Sequence, residues 1–169
     1  MKNLILIRHA KSSWEAPLKD KDRPLTNRGI LDAHFVAQQT IEHLPKTFVI
    51  WSSTAKRARE TAMIFTQTFS CPLESIIFKD DLYTFEASQL EKIVKNCNDL
   101  YDCVILFGHN EAITDFVNKF GNTEIFNVPT SGMVSIEFEG NAWGNLKNGK
   151  TIKTIFPKDF NRNGRKYLY

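Results

Sequence analysis

Long hydrophobic runs are absent from the sequence. The longest uninterrupted apolar stretches have four or five residues and lie at positions 4–7, 48–51 and 103–107, whereas a transmembrane helix needs about 20. A secretory signal has a core of about 7–15 apolar residues, and Arg8 interrupts the first stretch after four. These patterns argue against a membrane protein and against a secreted one. We therefore expect a cytoplasmic protein that has no membrane partner.

Cysteine is scarce, and the excess of positive charge is small. The three cysteines are odd in number and show no C-x-x-C spacing, which predicts reduced, mostly buried thiols at Cys71, Cys97 and Cys103. The basic C-terminal tail, about residues 157–169, alone carries a charge of +3, which equals the net charge of the whole chain. Its charged residues are Lys158, Asp159, Arg162, Arg165 and Lys166. Nucleic-acid binding usually requires a broader positive face. We expect a solvated tail and no nucleic-acid partner.

Length and composition fit one ordinary globular domain. At about 100–200 residues per domain, the 169 residues predict a single domain that spans positions 1–169. With 42% hydrophobic and 24% charged residues, the chain resembles neither a fibrous nor a wholly disordered protein. We expect a core that needs neither disulfides nor structural metal ions.

Short apolar runs alternate with segments of helical period. Runs that have the length and composition of buried parallel strands lie at positions 4–7, 48–51, 76–78 and 103–107. Apolar residues recur at helical spacing at positions 30–44, 58–69, 88–98 and 113–120. This alternation predicts an α/β fold, a three-layer αβα sandwich with a mostly parallel sheet. Positions 133–138 alternate and positions 151–156 are strand-like, which predicts an added antiparallel pair.

Local signals suggest where the helices begin and end. Ser53 or Thr54 is placed to cap the second helix. Ser88 and Glu91 have the spacing of a capping box at the start of the third. Gly121 suits a left-handed cap at the end of the fourth.

Three of the predicted strands are followed by residues that suit anion chemistry. Arg8 and His9 follow the first apolar run, Arg57 comes shortly after the second, and His109 follows the run at positions 103–107. Ligands bind outside the carboxyl ends of the strands in open α/β sheets. If the strands are parallel, two imidazoles and two guanidiniums meet at one edge of the sheet, although they lie up to 101 positions apart.

The chemistry of these groups predicts a phosphate pocket. Two forked guanidiniums and nearby helix N-termini suit a tetrahedral dianion, so a phosphate or sulfate ion is expected to fit there. Neighbouring arginines disfavour an imidazolium, which leaves one histidine neutral and able to attack phosphorus, while the other donates hydrogen bonds in the transition state. This arrangement requires neither a metal ion nor another cofactor.

Other polar and aromatic residues have ordinary structural explanations. His34 and His43 lie within or at the end of the first predicted helix, away from any strand end, and are expected to pack or to face solvent. Thr61 is expected to be a packing residue of the second helix. Trp14 and Tyr83 are expected to fill loops near the mouth of the pocket.

The same strand-end residues resemble the signature of a known family. RHA at positions 8–10 resembles the signature of the histidine phosphatases, also called the phosphoglycerate mutase-like superfamily. The longer string RHAKSSW resembles the short SixA type of that family, the phosphohistidine phosphatases. Three further matches follow in order, namely DRPLT with Gly29, STAKRARETA at positions 53–62, and GH at positions 108–109. The resemblance extends from residue 4 to about residue 138.

The resemblance implies a role for each of these residues. It implies that His9 is the nucleophile and forms a phosphohistidine intermediate, and that Arg8, Arg57 and His109 bind the phosphoryl group. Ser12, which is kept beside the signature, is assigned to substrate binding. The family further implies a metal-independent phosphatase built on a mixed sheet with one antiparallel strand.

The sequence departs from the larger mutase branch of the family. Lys11 replaces a glutamate and Glu15 stands where an asparagine would be. The acidic general acid of that branch has no convincing counterpart among Asp80, Asp81 and Glu86. An alcohol leaving group needs a proton more than an imidazole does, so these departures favour a phosphoramidate substrate, and phosphohistidine in a protein first of all.

Two alternatives stay open. A general phosphomonoesterase that acts on small phosphometabolites is consistent with the same residues. A non-catalytic module that binds phosphorylated ligands is motivated by the missing acid and by Glu15. The expected partner is therefore a phosphorylated protein or a small phosphate ester.

Overall fold

A six-stranded sheet forms the centre of the fold in the computed structural model, which describes residues 1–161. Its strands are β1 (Lys2–Arg8), β2 (Val49–Ser53), β3 (Ile76–Lys79), β4 (Cys103–Gly108), β5 (Met133–Phe138) and β6 (Lys150–Ile155). Each of the six segments predicted as strands forms one. The tail residues Arg162, Arg165 and Lys166 lie outside the described residues.

The sheet is mostly parallel, as predicted. Its strands lie in the order β3-β2-β4-β1-β5-β6. Neighbours among β1, β2, β3 and β4 run parallel to one another, whereas β5 is antiparallel to both β1 and β6. Within residues 1–161, β5 is thus the one antiparallel strand that the family resemblance implies. The turn after β5 contains Gly140 with a φ of 97°, a left-handed conformation that suits glycine.

Helices cover both faces of the sheet and complete three layers. They are α1 (Asn27–Thr40), α2 (Lys56–Thr68), α3 (Ala87–Lys95), α4 (Ala112–Phe120) and α5 (Pro157–Asn161). Successive residues of β1 point to opposite faces: Ile5 packs in one core with residues of α1 and α2, and Leu6 packs in the other with residues of α3 and α4. The predicted αβα sandwich is confirmed. None of the helices in the described part of the chain is long and apolar enough to cross a lipid bilayer.

The helix ends follow the local signals only in part. Thr26 caps α1, since its side chain accepts a hydrogen bond from a backbone amide of the first turn. The capping box of Ser88 and Glu91 does not form, because no side chain caps α3 and Glu91 pairs with Lys119 at 2.7 Å instead. Gly121 adopts an extended conformation rather than a left-handed one.

The start of α2 also differs from expectation. The helix is preceded by Ala55 and has no side-chain cap. Oγ of Ser53 accepts the Ala55 amide at 3.2 Å, and Oγ1 of Thr54 donates to Asp80 at 2.8 Å. Both hydroxyls are therefore used outside the helix.

Candidate active site

The pairing register of the central strands brings the two candidate histidines together. Arg8 pairs with Gly108 in the parallel ladder between β1 and β4, so His9 and His109 follow at the same edge of the sheet. The amide of His9 donates to the Gly108 carbonyl at 3.0 Å, which extends the pairing to the histidine itself. The two ring centroids lie 5.2 Å apart. The structure thus brings these distant positions together, as the strand pattern predicts.

Both ring nitrogens of His9 have partners that define its tautomer. Nδ1 lies 2.7 Å from the carbonyl oxygen of Ala10, which can only accept, so Nδ1 carries the proton. Nε2 lies 3.3 Å from Nε of Arg57, which can only donate, so Nε2 keeps its lone pair. His9 therefore presents the bare nitrogen that a nucleophile toward phosphorus needs.

The surroundings of His9 keep its ring uncharged. Burial disfavours the imidazolium and lowers the pKa of His9 to about 3, and the positive charges of Arg57, Arg8 and Arg23 act in the same direction. The hydrogen bond to the Ala10 carbonyl acts the other way without outweighing them. His9 is therefore neutral at neutral pH.

His109 is buried among aromatic rings and is held by a serine. Its Nε2 lies 2.8 Å from Oγ of Ser53, at the carboxyl end of β2. Its ring centroid lies 5.3 Å from that of Tyr83 and 5.5 Å from that of Phe85. Burial lowers the pKa of His109 to about 2, and the neighbouring His9 acts in the same direction. The second imidazole is thus neutral as well.

Two buried nitrogen atoms in this cluster have no hydrogen-bond partner among the described residues: Nδ1 of His109 and Nε of Arg8. The Arg8 side chain is otherwise held by the carbonyl of Val128, which accepts from Nη1 at 3.0 Å. A buried polar group without a partner costs about 1–3 kcal/mol. Both atoms are therefore suited to a ligand that accepts hydrogen bonds.

A carboxylate that the sequence did not single out joins the cluster. Arg57, in the first turn of α2, donates through Nη1 and Nη2 to the backbone oxygen and the carboxylate of Asp20 at 2.6 and 2.9 Å. The same carboxylate accepts from Nε and Nη2 of Arg23 at 3.3 and 3.1 Å and from the hydroxyl of Tyr83. Burial raises the pKa of Asp20, but the hydrogen bonds from Tyr83, Arg57 and Arg23 outweigh it and lower the pKa to about 2.

A cavity of about 360 Å³ opens over these groups. It is lined by four of the five predicted site residues, Arg8, His9, Ser12 and Arg57. The fifth, His109, packs against His9 and is 1% exposed. Other lining residues include Lys11, Trp14, Asp20, Arg23, Phe85 and Asn110. The wall is strongly cationic, as an anion site requires.

The sequence matches the profile of the histidine phosphatase superfamily (branch 1) over residues 4–102, which is more than half of the chain. The protein belongs to that superfamily. The matched region contains Arg8, His9 and Arg57, and the register of β1 and β4 adds His109 from outside it.

The chain is also similar to one related sequence and to two solved structures. The chain is 30% identical over 153 residues to a chloroplast protein of Arabidopsis thaliana described as uncharacterised. The aligned region covers 84% of this chain and 69% of that protein. The structure of the protein histidine phosphatase SixA complexed with tungstate is similar with a TM-score of 0.78, 17% identity and coverage of 94% and 99% of the two chains. A mycobacterial glucosyl-3-phosphoglycerate phosphatase gives a TM-score of 0.66, 10% identity and coverage of 90% and 98%. At these identities the two structures establish a shared fold.

In this histidine phosphatase, the three acids considered as proton donors lie outside the cavity. Asp80 accepts from Thr54 and lies 3.6 Å from Nζ of Lys21, and both contacts lower its pKa. Asp81 lines a separate cavity, and Glu86 is exposed at the start of α3. The acid that lines the cavity is Asp20.

Asp20 and Arg23 line the cavity, although the sequence analysis does not single them out as site residues. Arg23 belongs to the DRPLT motif, to which the sequence analysis assigns no site residue. Thr61, expected to pack within α2, accepts a hydrogen bond from the amide of Ala10 at 2.9 Å and donates to the carbonyl of Arg57 at 2.7 Å. Thr61 is buried in α2 as expected, and the family motif contained a signal for Arg23. Asp20 lies in the alternating charges of KDKD, a pattern typical of solvated loops.

Proposed function

We propose that this protein is a phosphatase that transfers a phosphoryl group from its substrate to His9 and then to water, without a metal ion. The observation that carries the proposal is the unprotonated Nε2 of the neutral His9 imidazole, which lies 3.3 Å from Nε of Arg57. A phosphoryl group beside these two atoms would meet the nucleophile and a hydrogen-bond donor together. Arg8, Arg57 and Arg23 supply the positive charge that a metal ion supplies elsewhere.

In the first step the Nε2 lone pair of His9 attacks phosphorus. The bond between phosphorus and the leaving group breaks, and its electron pair departs with the leaving group. Nε of Arg57 then donates to a phosphoryl oxygen instead of to Nε2, and the unpaired Nε of Arg8 donates to another. In the second step water attacks the phosphoryl group on His9, the P–N bond breaks, and inorganic phosphate leaves.

The role proposed for His109 is hydrogen-bond donation from Nδ1. Oγ of Ser53 accepts the Ala55 amide at 3.2 Å, so its own proton is available to Nε2 of His109 at 2.8 Å. Nδ1 then carries the ring proton and has no partner among the described residues. A phosphoryl oxygen that gains charge in the transition state is the acceptor it would serve.

We propose protein phosphohistidine as the substrate. Asp20, with a pKa of about 2, is ionised at neutral pH and has no proton to give to a leaving group. A phosphorylated imidazole that carries a proton on its other nitrogen leaves as neutral imidazole, whereas an alkyl ester leaves as an alkoxide that needs an acid. The exposed rings of Trp14 and Phe85 at the mouth suit contact with a polypeptide.

The enzyme intermediate provides the first test. The protein is mixed with an aryl phosphate that carries ³²P, quenched within milliseconds, and analysed for phosphate bound to protein. We expect label that is labile in acid and stable in base, and none in His9→Ala. The matched control is His34→Ala, which removes an exposed imidazole of α1. Turnover by His9→Ala, or tight vanadate binding by a wild-type protein without turnover, would contradict the proposal.

The substrate class is tested with matched peptides. Rates are compared for one peptide phosphorylated on histidine, the same peptide with phosphoserine in its place, and a panel of sugar and nucleotide phosphates. We expect the highest kcat/KM for the phosphohistidine peptide. A higher value for a small phosphate ester would favour a phosphomonoesterase instead.

A further inference from the structure

Asp20 is a carboxylate in a pocket whose other charged groups are cations. Its carboxylate makes ion pairs with Arg57 and Arg23 at 2.9 and 3.1 Å, and it lines the cavity together with His9. A negative charge at this place repels a phosphoryl dianion. Its presence therefore requires a function that offsets this repulsion.

We propose that Asp20 is a positioning residue, which holds the guanidinium of Arg57 so that its Nε edge faces the reacting phosphoryl group. This inference rests on the proposed function. It assigns Asp20 no contact with the substrate and no proton transfer.

The hydrogen bonds of Arg57 divide between two edges of its guanidinium. On one edge, Nη1 donates to the backbone oxygen of Asp20 at 2.6 Å and Nη2 donates to its carboxylate at 2.9 Å. Nε lies on another edge and points to Nε2 of His9 at 3.3 Å. Because the guanidinium is planar, two anchors on one residue determine the direction of the Nε–H group.

The carboxylate has no acceptor capacity left for a proton or a substrate group. A carboxylate offers about four lone-pair sites. Asp20 accepts two hydrogen bonds from Arg23, one from Arg57 and one from the Tyr83 hydroxyl. It therefore acts as a fixed bridge between two guanidiniums and the loop that follows β3.

The charge of the cluster still suits the substrate. The charged residues that line the cavity carry a formal charge of +3, which still attracts a phosphoryl dianion; they are Arg8, Lys11, Arg23, Arg57 and Asp20. Asp20 accepts from Nη1 and Nη2 of Arg57 and not from Nε, so an oxygen that approaches Nε need not displace it. The alternative, that Asp20 competes with the phosphoryl group for Arg57, predicts the opposite effect on anion binding.

Asp20→Asn tests the inference, and Asp22→Asn is its matched control. Asp22 lies two positions away in the same short helical turn, Asp20–Asp22, and is exposed. We measure kcat and KM for p-nitrophenyl phosphate and the inhibition constant of orthovanadate. We expect Asp20→Asn to lower kcat/KM by about 10- to 100-fold and to weaken vanadate inhibition, with Asp22→Asn within about twofold of wild type.

A double-mutant cycle distinguishes positioning from a general loss of structure. If Asp20 acts through Arg57, adding Asp20→Asn to Arg57→Lys lowers kcat/KM by less than about threefold, because the group to be positioned is already altered. Should Asp20→Asn fail to fold, Asp20→Glu, which shifts the carboxylate by one methylene, is compared with Asp22→Glu in the same assays.

Three results overturn the inference: tighter vanadate inhibition by the Asp20 variant, equal activity of the Asp20 and Asp22 variants, or additive losses in the cycle. The first of them supports the competing explanation. Failure of the proposed function has a different signature, since the wild-type protein would then form no phosphoenzyme on His9.

Discussion

The neutral state of His9 can be tested by lowering the pH. A histidine with the ordinary pKa of about 6.5 is only about 3% neutral at pH 5. With a pKa of about 3, His9 stays about 99% neutral at that pH. The difference in pKa corresponds to about 5 kcal/mol against the imidazolium. His9 should therefore keep its lone pair through a range in which an ordinary histidine loses it.

Nitrogen NMR reports the protonation state directly. The chain has four histidines, so a sample labelled with ¹⁵N-histidine gives a tractable long-range ¹H–¹⁵N spectrum, and His9→Gln identifies the signals of His9. We expect the pattern of an Nδ1–H tautomer between pH 8 and pH 4.5, because Nδ1 faces the Ala10 carbonyl and Nε2 faces Nε of Arg57. His34 and His43, which are exposed, provide internal reference signals.

The charge of Arg57 supplies the matched comparison. Replacing it in Arg57→Gln removes a positive charge beside Nε2, so the pKa of His9 should rise, yet stay below about 6.5 because burial is the largest cause of its shift. Arg59→Gln, at an exposed position of the same helix, should leave it unchanged. An imidazolium pattern for His9 at pH 6, or an Nε2–H tautomer at any pH, would refute the reasoning.

Two further substitutions test the frame around the nucleophile. Thr61→Val leaves the Ala10 amide without its acceptor. It should lower the free energy of unfolding, measured in urea, by about 1–3 kcal/mol and should also lower kcat/KM. Thr61→Ser should retain both values, and an unchanged urea midpoint for Thr61→Val would contradict this prediction. Gly29→Ala would place a Cβ 2.3 Å from the carbonyl oxygen of Lys11 and should cost about 1–3 kcal/mol in a thermal melt. Gly144→Ala, whose nearest contact would be 3.7 Å away, is the control, and equal losses in the two variants would argue against the clash.

The layers of the fold were predictable because the central strands are buried on both faces. Every residue of β4 is buried, so the strand appears in the sequence as a continuous apolar run. The helices present one apolar stripe each, and the alternation of the two patterns is typical of a parallel sheet. The strand order and the register Arg8 to Gly108 depend on contacts between distant residues, which periodicity does not encode.

Local capping signals failed where a distant partner was available. Glu91 has the spacing of a capping box with Ser88, but its carboxylate pairs with Lys119, 28 positions away. Ser53 stands near the start of α2, but its hydroxyl lies 2.8 Å from Nε2 of His109. A cap contributes about 1 kcal/mol, which is no more than a hydrogen bond or an ion pair offers elsewhere. Tertiary contacts therefore determine whether such a side chain caps a helix or bonds to a distant residue.

The same reasoning explains which part of the active site could be predicted. The positions of His9 and His109 follow from strand ends, because parallel strands direct their carboxyl ends to one edge. The hydrogen bonds that orient these groups join residues far apart in the sequence. Arg57 lies 37 positions from Asp20 and 48 from His9, and Ser53 lies 56 positions from His109. Sequence patterns can therefore identify the reacting groups and the neutral state of a histidine. The direction and partners of each group depend on how the segment that carries Asp20 and the end of β2 that carries Ser53 pack against the sheet edge.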